Sequence, residues 1–374
     1  MRILEVAPFA SPIDERGQQL GGAQILFADL ARGLAAAGHD VTIAAAIGSF
    51  VRGTKLAPLD IDSRAMRAAE LGATTGERDD DAAQARAFSR VRSYLDAHAS
   101  ELDLVHAHAY DAPAFDALRG APRPVIHTLH LPPLDARVVA AARAAAHDGA
   151  VLVTVSEANA SRWRQERVAV RYAIPNGVDI GSVPHDGARG SHLLFAGRIS
   201  PEKGVEDAIA TARELERPLL IVGGVYDAGY FERAVRPLVI EDRSWDPARA
   251  VEGIRYVGPR TRDLVLRIMA RSAVTLMPVR WDEPFGLVAV ESLATGTPVA
   301  AYRRGGLAEI VDETCGALAD PDDRGAFASA TVRALGRSAD ACRRRAERYS
   351  LEAMVARYEA LMREVAGPAR RSRE

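Results

Sequence analysis

Lysine and cysteine are nearly absent from this chain of 374 residues. Only Lys55 and Lys203 among its 48 basic residues are lysines, so a lysine retained within a motif is informative. The two cysteines, Cys315 and Cys342, form no Cys-x-x-Cys pair. Neither a disulfide framework nor a cysteine zinc site is expected, and a cytoplasmic location is the default expectation.

Long apolar runs are missing as well. No stretch approaches the about 18 uninterrupted apolar residues that cross a bilayer. The apolar start of the chain reaches only to Pro8, which is too short for the core of a secretory signal. We therefore expect no transmembrane segment and at most peripheral contact with a membrane.

The 30 glycines are never separated by a single residue. This spacing excludes the Gly-x-Gly-x-x-Gly fingerprint of dinucleotide-binding domains. No glycine directly precedes a lysine, which excludes the Walker A loop, and no Gly-x-Ser-x-Gly elbow of a serine hydrolase is present. A nucleotide ligand would have to be held by other means.

A strong charge of either sign is also lacking, since 48 basic and 50 acidic residues leave a formal net charge of −2. Residues 1–180 carry 19 basic and 22 acidic residues, and residues 181–374 carry 29 and 28. Neither half is a basic module, so we expect no nucleic-acid partner, and charge gives no support to membrane binding. Any positive site must be local.

What is present is a regular alternation of short apolar runs with longer amphipathic segments. Residues 3–6, 41–46, 104–108, 125–129 and 151–155 have the length and composition of buried strands. A helical pattern over residues 22–37 separates the first two strands. This βαβ order predicts a parallel sheet covered on both faces.

The pattern restarts after a Gly-, Pro- and Ser-rich linker at residues 177–191. Strands are expected at 192–196, 219–222, 255–257, 273–277 and 298–301, and helices at 203–215, 261–271 and 287–295. The fold class is therefore α/β with two doubly wound parallel-sheet domains, at residues 1–180 and 181–349. A last helix near 350–366 has an apolar face that must dock, and a short basic tail ends the segment 350–374.

Residues 52–90 do not fit the alternation, because they contain few large apolar side chains. We interpret them as a long excursion from the first domain. Asp79–Asp81 formally offers the Asp-x-Asp of metal-dependent sugar transferases. The flanking charge run and the lack of a preceding strand favour a solvated loop.

Residues 281–311 carry the densest set of polar groups. Glu283 lies in a loop that leads into a helix, where free backbone N–H groups around 286–288 can hold an anion. Glu283 would then bond sugar hydroxyls beside a phosphate, and Glu291 would accept from ribose hydroxyls. The alternative makes Glu283 a complement to the helix dipole and Glu291 a surface residue.

The run from Glu283 through Glu291, followed by Gly-Thr-Pro-Val and Gly-Gly-x-x-Glu-Ile-Val, resembles the donor-binding signature of glycosyltransferase family 4. The resemblance implies a GT-B fold, in which two Rossmann-like domains face a central cleft and the last helix returns to the N-terminal domain. It implies retaining transfer of a sugar from a nucleotide-diphosphate donor, bound by the C-terminal domain, to an acceptor hydroxyl, bound by the N-terminal domain.

The segment 195–204 is similar to the Gly-Arg-x4-Lys-Gly segment of that family. The resemblance implies that Arg198 and Lys203 clamp the diphosphate, and two cations suit its growing charge as it leaves. It also implies donor contacts from a wider set of residues: Gly21, Gly22, Val257, Glu283, Phe285, Gly286, Leu287, Val288 and Glu291.

Histidines cluster in the first half. Thr128-Leu-His130 resembles the family strand that ends in the active-site histidine contacting the donor sugar. His106 and His108 share one strand face and are either packing or cleft residues. The family also has a serine at the position of Ser156 and a hallmark turn at Asn176. No further carboxylate or histidine completes a familiar metal motif in the sequence, so no metal site is expected.

The resemblance implies no cofactor beyond the nucleotide-sugar substrate, and a substrate-assisted reaction in which the β-phosphate accepts the acceptor proton. Residues 312–316 depart from the family turn, at a position expected to be remote from the chemistry. Two other functions remain open: a nucleotide-sugar-binding regulatory protein, and a sugar-phosphate synthase or phosphorylase. The sequence specifies neither the sugar, the nucleobase, the acceptor nor the oligomeric state.

Overall fold

The computed structural model describes residues 1–16, 22–63, 77–108, 110–185 and 189–367, and for residues 77–81 the description is limited to the backbone. The chain divides into two compact units. Unit one comprises Met1–Gly177 and Leu351–Glu374, and unit two comprises Val178–Ser350. The sequence analysis predicts these divisions after residues 180 and 349, which is within three residues of those in the structure.

Unit one is built on a seven-stranded sheet with the order β3-β2-β1-β4-β5-β6-β7. Every strand pair in it is parallel. The strands are β1 (Arg2–Val6), β2 (Asp40–Ala44), β3 (Lys55–Leu56), β4 (Leu104–Ala107), β5 (Val125–Leu129), β6 (Val151–Thr154) and β7 (Val170–Ala173). The helices between them are α1 (Gly22–Ala36), α2 (Glu77–Ala97), α3 (Ala112–Leu118), α4 (Ala136–His147) and α5 (Glu157–Gln165), with a 3-10 turn at Ala99–Glu101.

Unit two repeats the plan with a seven-stranded parallel sheet in the order β10-β11-β9-β8-β12-β13-β14. Its strands are β8 (Leu193–Ala196), β9 (Leu219–Val222), β10 (Ile240–Glu241), β11 (Ile254–Gly258), β12 (Val274–Met277), β13 (Val299–Tyr302) and β14 (Gly316–Ala319). Its helices are α6 (Val205–Glu214), α7 (Ala228–Tyr230), α8 (Arg262–Ala270), α9 (Leu287–Ala294), α10 (Leu307–Ile310), α11 (Arg324–Leu335) and α12 (Ala339–Glu347). Shorter turns lie at Ile180–Ser182, Pro201–Lys203, Phe231–Val235 and Arg236–Leu238.

The last helix, α13 (Leu351–Ala366), belongs to unit one. Its buried face joins the apolar cluster on one side of the first sheet, and Tyr358 is fully covered there. Helix α1 packs against it so closely that a β-carbon at Gly33 would overlap the side chain of Val355. The apolar face seen in the sequence is thus buried within unit one.

The predicted fold class is confirmed, because both units are parallel, doubly wound α/β layers. Within the described ranges, no helix is long and apolar enough to cross a membrane. The interpretation of Asp79–Asp81 as a loop is wrong, since α2 begins at Glu77. The fully buried side chains of Phe88, Val91 and Leu95 recur at helical spacing and pack this helix against the sheet. The sequence analysis gave more weight to the neighbouring charge run and therefore predicted a loop.

Candidate functional site

The turn after β8 holds Lys203 in one place. Gly204 ends this turn with φ of +71°, and a β-carbon there would overlap the carbonyl oxygen of Pro278. The backbone N–H of Arg280 donates to the carbonyl of Glu202 at 2.8 Å. The turn is therefore fixed against the loop that follows β12, and only glycine fits at 204.

Lys203 and Glu283 meet through this arrangement. The Lys203 ammonium lies 2.7 Å from Glu283 Oε2, and both side chains are largely buried. The indole N–H of Trp281 donates to the same oxygen at 2.9 Å, and the ammonium lies 4.9 Å from the Trp281 ring centroid. The structure thus brings two of the predicted site residues together and adds Trp281, which the sequence analysis missed.

The loop that carries Glu283 packs against the Gly-Gly motif at Gly305 and Gly306. The N–H of Gly306 donates to the carbonyl of Glu283 at 2.8 Å. Gly305 has φ of +53°, and a β-carbon there would overlap the backbone of Glu283. A β-carbon at Gly306 would lie 2.6 Å from the carbonyl oxygen of Phe285. Because these two glycines have no side chains, the backbone of the Glu283 loop can lie directly against them.

Arg198 also lies in unit two but is not paired with Glu283 in the part of the chain that the structure describes. Its guanidinium lies 3.6 Å from Glu202 Oε1 and 4.7 Å from the ring centroid of Tyr226. With 36% of its side chain exposed, Arg198 is an accessible cation. Stacking on Tyr226 restrains the direction in which it points.

A cavity of about 190 Å³ opens at the carboxyl ends of β8 and β9. Ligands of doubly wound sheets bind at this edge. Its wall consists largely of small or apolar groups and includes two charged side chains, Arg260 and Glu291. The lining residues are Ala196, Gly197, Val222, Gly223, Gly224, Pro259, Arg260, Val265, Met269, Val288 and Glu291.

Glu291 is not the surface residue that one interpretation made of it. It is 7% exposed, and Arg262 donates to its Oε1 at 2.8 Å. The burial is possible because the carboxylate is paired with a guanidinium. Glu291 is therefore a buried residue of the cavity wall whose carboxylate is held by Arg262.

Helix α9 begins at the cavity wall. Gly286 is its N-terminal cap with φ of +106°, and the first N–H groups of a helix have no partner within it. Val288 lines the cavity, whereas Phe285 is buried and packs at 5.9 Å from the ring of Tyr349. Val257 is fully buried in β11 and can offer a ligand only its backbone.

In unit one, three histidines and a glutamate meet at the carboxyl ends of β1, β4 and β5. Glu5 lies beside His106 in the register of β1 and β4. His106 Nδ1 lies 3.1 Å from Glu5 Oε1, and His108 Nε2 lies 3.0 Å from Glu5 Oε2. His108 Nδ1 in turn lies 3.0 Å from His130 Nε2. The three predicted histidines therefore form one connected cluster.

The cluster extends to the last helix. His106 Nε2 lies 2.8 Å from the hydroxyl of Thr128, and that hydroxyl lies 3.0 Å from the hydroxyl of Tyr358 in α13. Burial raises the pKa of Tyr358 above its ordinary range, so its phenol keeps its proton and can donate. The predicted docking of the last helix thus also supplies a polar contact.

Burial and neighbouring charges set the protonation of this cluster. Burial alone would raise the pKa of Glu5, but the charge and hydrogen bond of His106 and the hydrogen bond of His108 lower it to about 2. Burial and the charge of His106 lower the pKa of His108 to about 4. Burial, with the charges of His108 and His106, also lowers the pKa of His130 well below its ordinary value. At neutral pH the cluster therefore holds an ionised Glu5 with neutral His108 and His130.

Glu5 supplies the carboxylate that the sequence analysis did not find for these histidines. The candidate ligand atoms of Glu5, His106 and His108 lie within 4.8 Å of one another, so this trio could hold a metal ion. Each of those atoms already has a hydrogen-bond partner inside the trio. The sequence signal for this polar cluster was the position of Glu5 between Leu4 and Val6 in a buried strand, where a carboxylate is rare unless it is paired.

The remaining predicted positions have mainly local roles. Ser156 caps α5, where its hydroxyl accepts from the N–H of Asn159 at 3.0 Å. Asn176 is buried ahead of Gly177, whose N–H contacts the sulfur of Met354 in α13. Gly22 is the first residue of α1, and Gly21 lies outside the described residues.

Two family profiles match the chain. The profile described as Glycosyltransferase Family 4 matches residues 20–182. The profile described as Glycosyl transferases group 1 matches residues 190–337. Each profile covers most of one half of the sequence.

Curated relatives point the same way. Glycogen synthase of Mycobacterium tuberculosis (strain CDC 1551 / Oshkosh) is 32% identical over 182 residues, 46% of this chain and 41% of that protein. A D-inositol 3-phosphate glycosyltransferase of Acidothermus cellulolyticus is 28% identical over 385 residues, 89% of this chain and 82% of that protein. The chain thus matches less than half the length of the glycogen synthase and most of the second relative.

Solved structures share the fold. Sucrose-phosphate synthase from Thermosynechococcus elongatus superimposes with a TM-score of 0.76 at 20% identity, covering 97% of this chain and 99% of that one. HepE of Anabaena in complex with UDP-glucose gives a TM-score of 0.68 at 18% identity, covering 96% of this chain and 99% of that one. With both units matched by related profiles, the chain belongs to the group 1 glycosyltransferases of family 4 and has the GT-B fold of two Rossmann-like domains.

Proposed function

We propose that this protein transfers a sugar from a nucleotide-diphosphate sugar to an acceptor hydroxyl, with retention of anomeric configuration and without a required metal ion. The observation that carries the proposal is the Lys203–Glu283 pair, which fixes a compact cation 2.7 Å from a carboxylate. The same unit has a glycine-lined cavity, and Gly197 of its wall directly precedes Arg198.

The proposed chemistry assigns the leaving diphosphate to Arg198, Lys203 and the free N–H groups at the start of α9. These groups stabilise negative charge as it grows on the departing phosphate, which is the largest demand of the reaction. Because they supply positive charge without a bound ion, no divalent metal is needed. The β-phosphate takes the proton of the acceptor hydroxyl while the new bond forms on the same face of the sugar.

The sugar and ribose are assigned to the two carboxylates of the signature. Glu283 would accept hydrogen bonds from sugar hydroxyls, and its pairing with Lys203 reduces the repulsion that an unpaired carboxylate would exert on a phosphate. Glu291 lines the cavity and would accept from ribose hydroxyls. Arg262 compensates its charge.

In unit one, the proposal assigns His130 to the sugar that is transferred. His106, His108, Ser156 and Asn176 are buried, so the proposal gives them the role of supporting the acceptor side of unit one rather than of contacting the acceptor, and it assigns Gly21 and Gly22 to the phosphates. HepE of Anabaena is described as binding UDP-glucose, which makes UDP-glucose the first donor to test. The D-inositol 3-phosphate glycosyltransferase relative makes phosphorylated polyols the first acceptors to test.

The test is multiple-turnover release of nucleoside diphosphate from UDP-, GDP-, ADP- and TDP-sugars in the presence of EDTA and a panel of acceptors. Acceptor-dependent release supports the transferase. Binding of a nucleotide sugar without turnover would support a regulatory protein instead. Product formed only with sugar phosphates or inorganic phosphate would support a synthase or phosphorylase.

The stereochemical part has its own test. Proton NMR of the product gives the anomeric configuration, which should match that of the donor. An inverted product would refute the proposed same-face displacement and leave the donor assignment standing.

A further inference from the structure

Glu5 is an ionised carboxylate in the interior of a central strand. It is 1% exposed, and β1 pairs on both sides, with Ile43 of β2 and His106 of β4 as its register partners. Burying such a group is costly unless several hydrogen bonds compensate it. The hydrogen bonds that Glu5 accepts must therefore compensate the cost of its burial.

An ionised carboxylate can only accept hydrogen bonds. His106 Nδ1 and His108 Nε2 both lie within 3.1 Å of Glu5 oxygens, so both nitrogens must carry a proton. A neutral imidazole has one N–H donor and one acceptor nitrogen. Because His108 donates from Nε2, its Nδ1 is the acceptor.

The acceptor nitrogen of His108 faces His130. His130 Nε2 lies 3.0 Å from His108 Nδ1, and two acceptor nitrogens could not approach this closely. His130 Nε2 must therefore donate, which leaves the lone pair of His130 on Nδ1. No hydrogen-bond partner of Nδ1 occurs among the described residues, and His130 is the most exposed of the three histidines at 9%.

The arm through His106 is separate. Tyr358, Thr128, His106 and Glu5 form a chain of hydrogen bonds with consecutive distances of 3.0, 2.8 and 3.1 Å, and His106 donates its Nδ1–H to the Glu5 carboxylate. This arm satisfies the buried hydroxyls without touching His130. It provides an internal comparison within the same polar cluster.

We infer that Glu5 is a positioning residue that acts through His108 to hold His130 as the Nε2–H tautomer, so that Nδ1 accepts a hydrogen bond from a hydroxyl of the sugar substrate. The inference rests on the proposed function, because it requires His130 to meet a sugar. Orienting a histidine through the nitrogen that does not face the ligand is a general device in binding sites. No covalent bond changes in this step.

A metal ion bound by Glu5, His106 and His108 would produce the opposite tautomer. Its ligand nitrogens would have to lose their protons, so His108 would carry its proton on Nδ1 and donate to His130 Nε2. His130 would then be protonated on Nδ1. The tautomer of His130 therefore distinguishes the two arrangements.

The test is a two-bond ¹H–¹⁵N correlation spectrum of the EDTA-treated full-length protein labelled at histidine, recorded at neutral pH. The expected result is His108 and His130 both protonated at Nε2, with signals assigned from His108→Asn and His130→Asn. A His130 signal protonated at Nδ1, or a change of tautomer on adding one equivalent of zinc, would overturn the inference. This spectrum needs no change at Glu5, so it decides the question even where Glu5→Gln does not fold.

Kinetics supply the second readout. Glu5→Gln should lower kcat about tenfold or more with little change in KM for the donor, because loss of the carboxylate that fixes the tautomer of a histidine can lower turnover by far more than this. Tyr358→Phe is the matched control, because it removes a buried hydroxyl of the same cluster from the other arm. Its kcat and its His130 tautomer should remain those of the wild type.

Failure of the inference is distinguishable from failure of the proposed function. A wild-type protein with no turnover on any donor would count against the transferase. An active enzyme whose His130 is protonated at Nδ1, or whose Glu5→Gln and Tyr358→Phe variants lose the same activity, would count against the positioning role alone.

Discussion

Lys203 and Glu283 stand 80 residues apart in sequence, yet their charged atoms lie 2.7 Å apart. The indole of Trp281 donates to the same carboxylate oxygen at 2.9 Å. The pair depends on backbone that only glycine permits, at Gly204 on one side and Gly305 on the other. In the proposed enzyme, this pair holds the Lys203 ammonium that binds the diphosphate and the Glu283 carboxylate that binds the sugar within the same unit.

Replacing Glu283 with glutamine should separate binding from turnover. The amide keeps the shape of the side chain and removes the negative charge that competes with a phosphate for Lys203. We expect the affinity for the nucleoside diphosphate to stay the same or increase, while kcat falls by about a hundredfold. Calorimetric titration and steady-state kinetics on the same preparation measure both quantities. A parallel loss of affinity and turnover would show that Glu283 does not act on the sugar.

Gly305→Ala should destabilise unit two. Its φ of +53° is unfavourable for alanine, and the new β-carbon would overlap the backbone of Glu283, so we expect a cost of about 2 kcal/mol or more. Gly325→Ala is the control, because Gly325 lies in α11 and a β-carbon there meets its nearest atom at 3.6 Å. Alanine in a helix is better than glycine by up to about 1 kcal/mol. Urea unfolding should thus give opposite signs for the two variants.

Helices α1 and α13 should show energetic coupling. Gly33→Ala places a methyl group against Val355, and overpacking of this kind costs about 1–3 kcal/mol. In the background of Val355→Ala the same change should cost much less, because the overlapping atoms are gone. A double-mutant cycle on unfolding free energy measures this. Additive effects would contradict the packing of the last helix on α1.

His127 should make unit one sensitive to acid. Neither of its ring nitrogens has a hydrogen-bond partner among the described residues, and burial, with the charge of His106, lowers its pKa to about 3. The unfolded chain binds a proton below about pH 6.5 and the folded chain does not, so stability is complete above that pH and falls by about 1.4 kcal/mol per pH unit toward pH 3.

His127→Leu should reduce that slope and leave stability at neutral pH equal or higher, because two unpaired nitrogens are no longer buried. Hydrogen exchange of β5 amides between pH 6.5 and 4.5, corrected for intrinsic rates, reads the stability of unit one. An unchanged slope in the variant would show that His127 is not held neutral in the fold.

The apolar runs of the sequence were enough to locate most central strands, because strands that are buried on both faces consist almost entirely of apolar residues. The segment 125–129, for example, is β5 without change. Helix α2 was missed because the charges at its start hid the apolar spacing of Phe88, Val91 and Leu95. Short elements such as β7 and β14 lack a distinctive run and are defined by their pairing with neighbouring strands.

Residues of the candidate site that belong to a sequence motif could be predicted. Contacts that depend on the register between two strands could not. Lys203 and Glu283 each stand in a recognisable segment, although nothing in the sequence sets their contact. The contact of Glu5 with His106 and His108 depends on β1 lying beside β4, about 100 residues later, in one register. A shift of one residue would point these side chains to opposite faces.

The measurement that tests the central claim most directly is calorimetric titration of UDP, GDP, ADP and TDP into the wild type, Lys203→Ala and Lys55→Ala. Lys55 is the matched control, because it is the other lysine and pairs with Asp40 at an exposed surface. We predict that at least one nucleoside diphosphate binds the wild type and Lys55→Ala equally and binds Lys203→Ala about tenfold to a hundredfold more weakly. Equal binding by all three proteins, or binding of none of the four ligands, would contradict the assignment of Lys203 to the diphosphate.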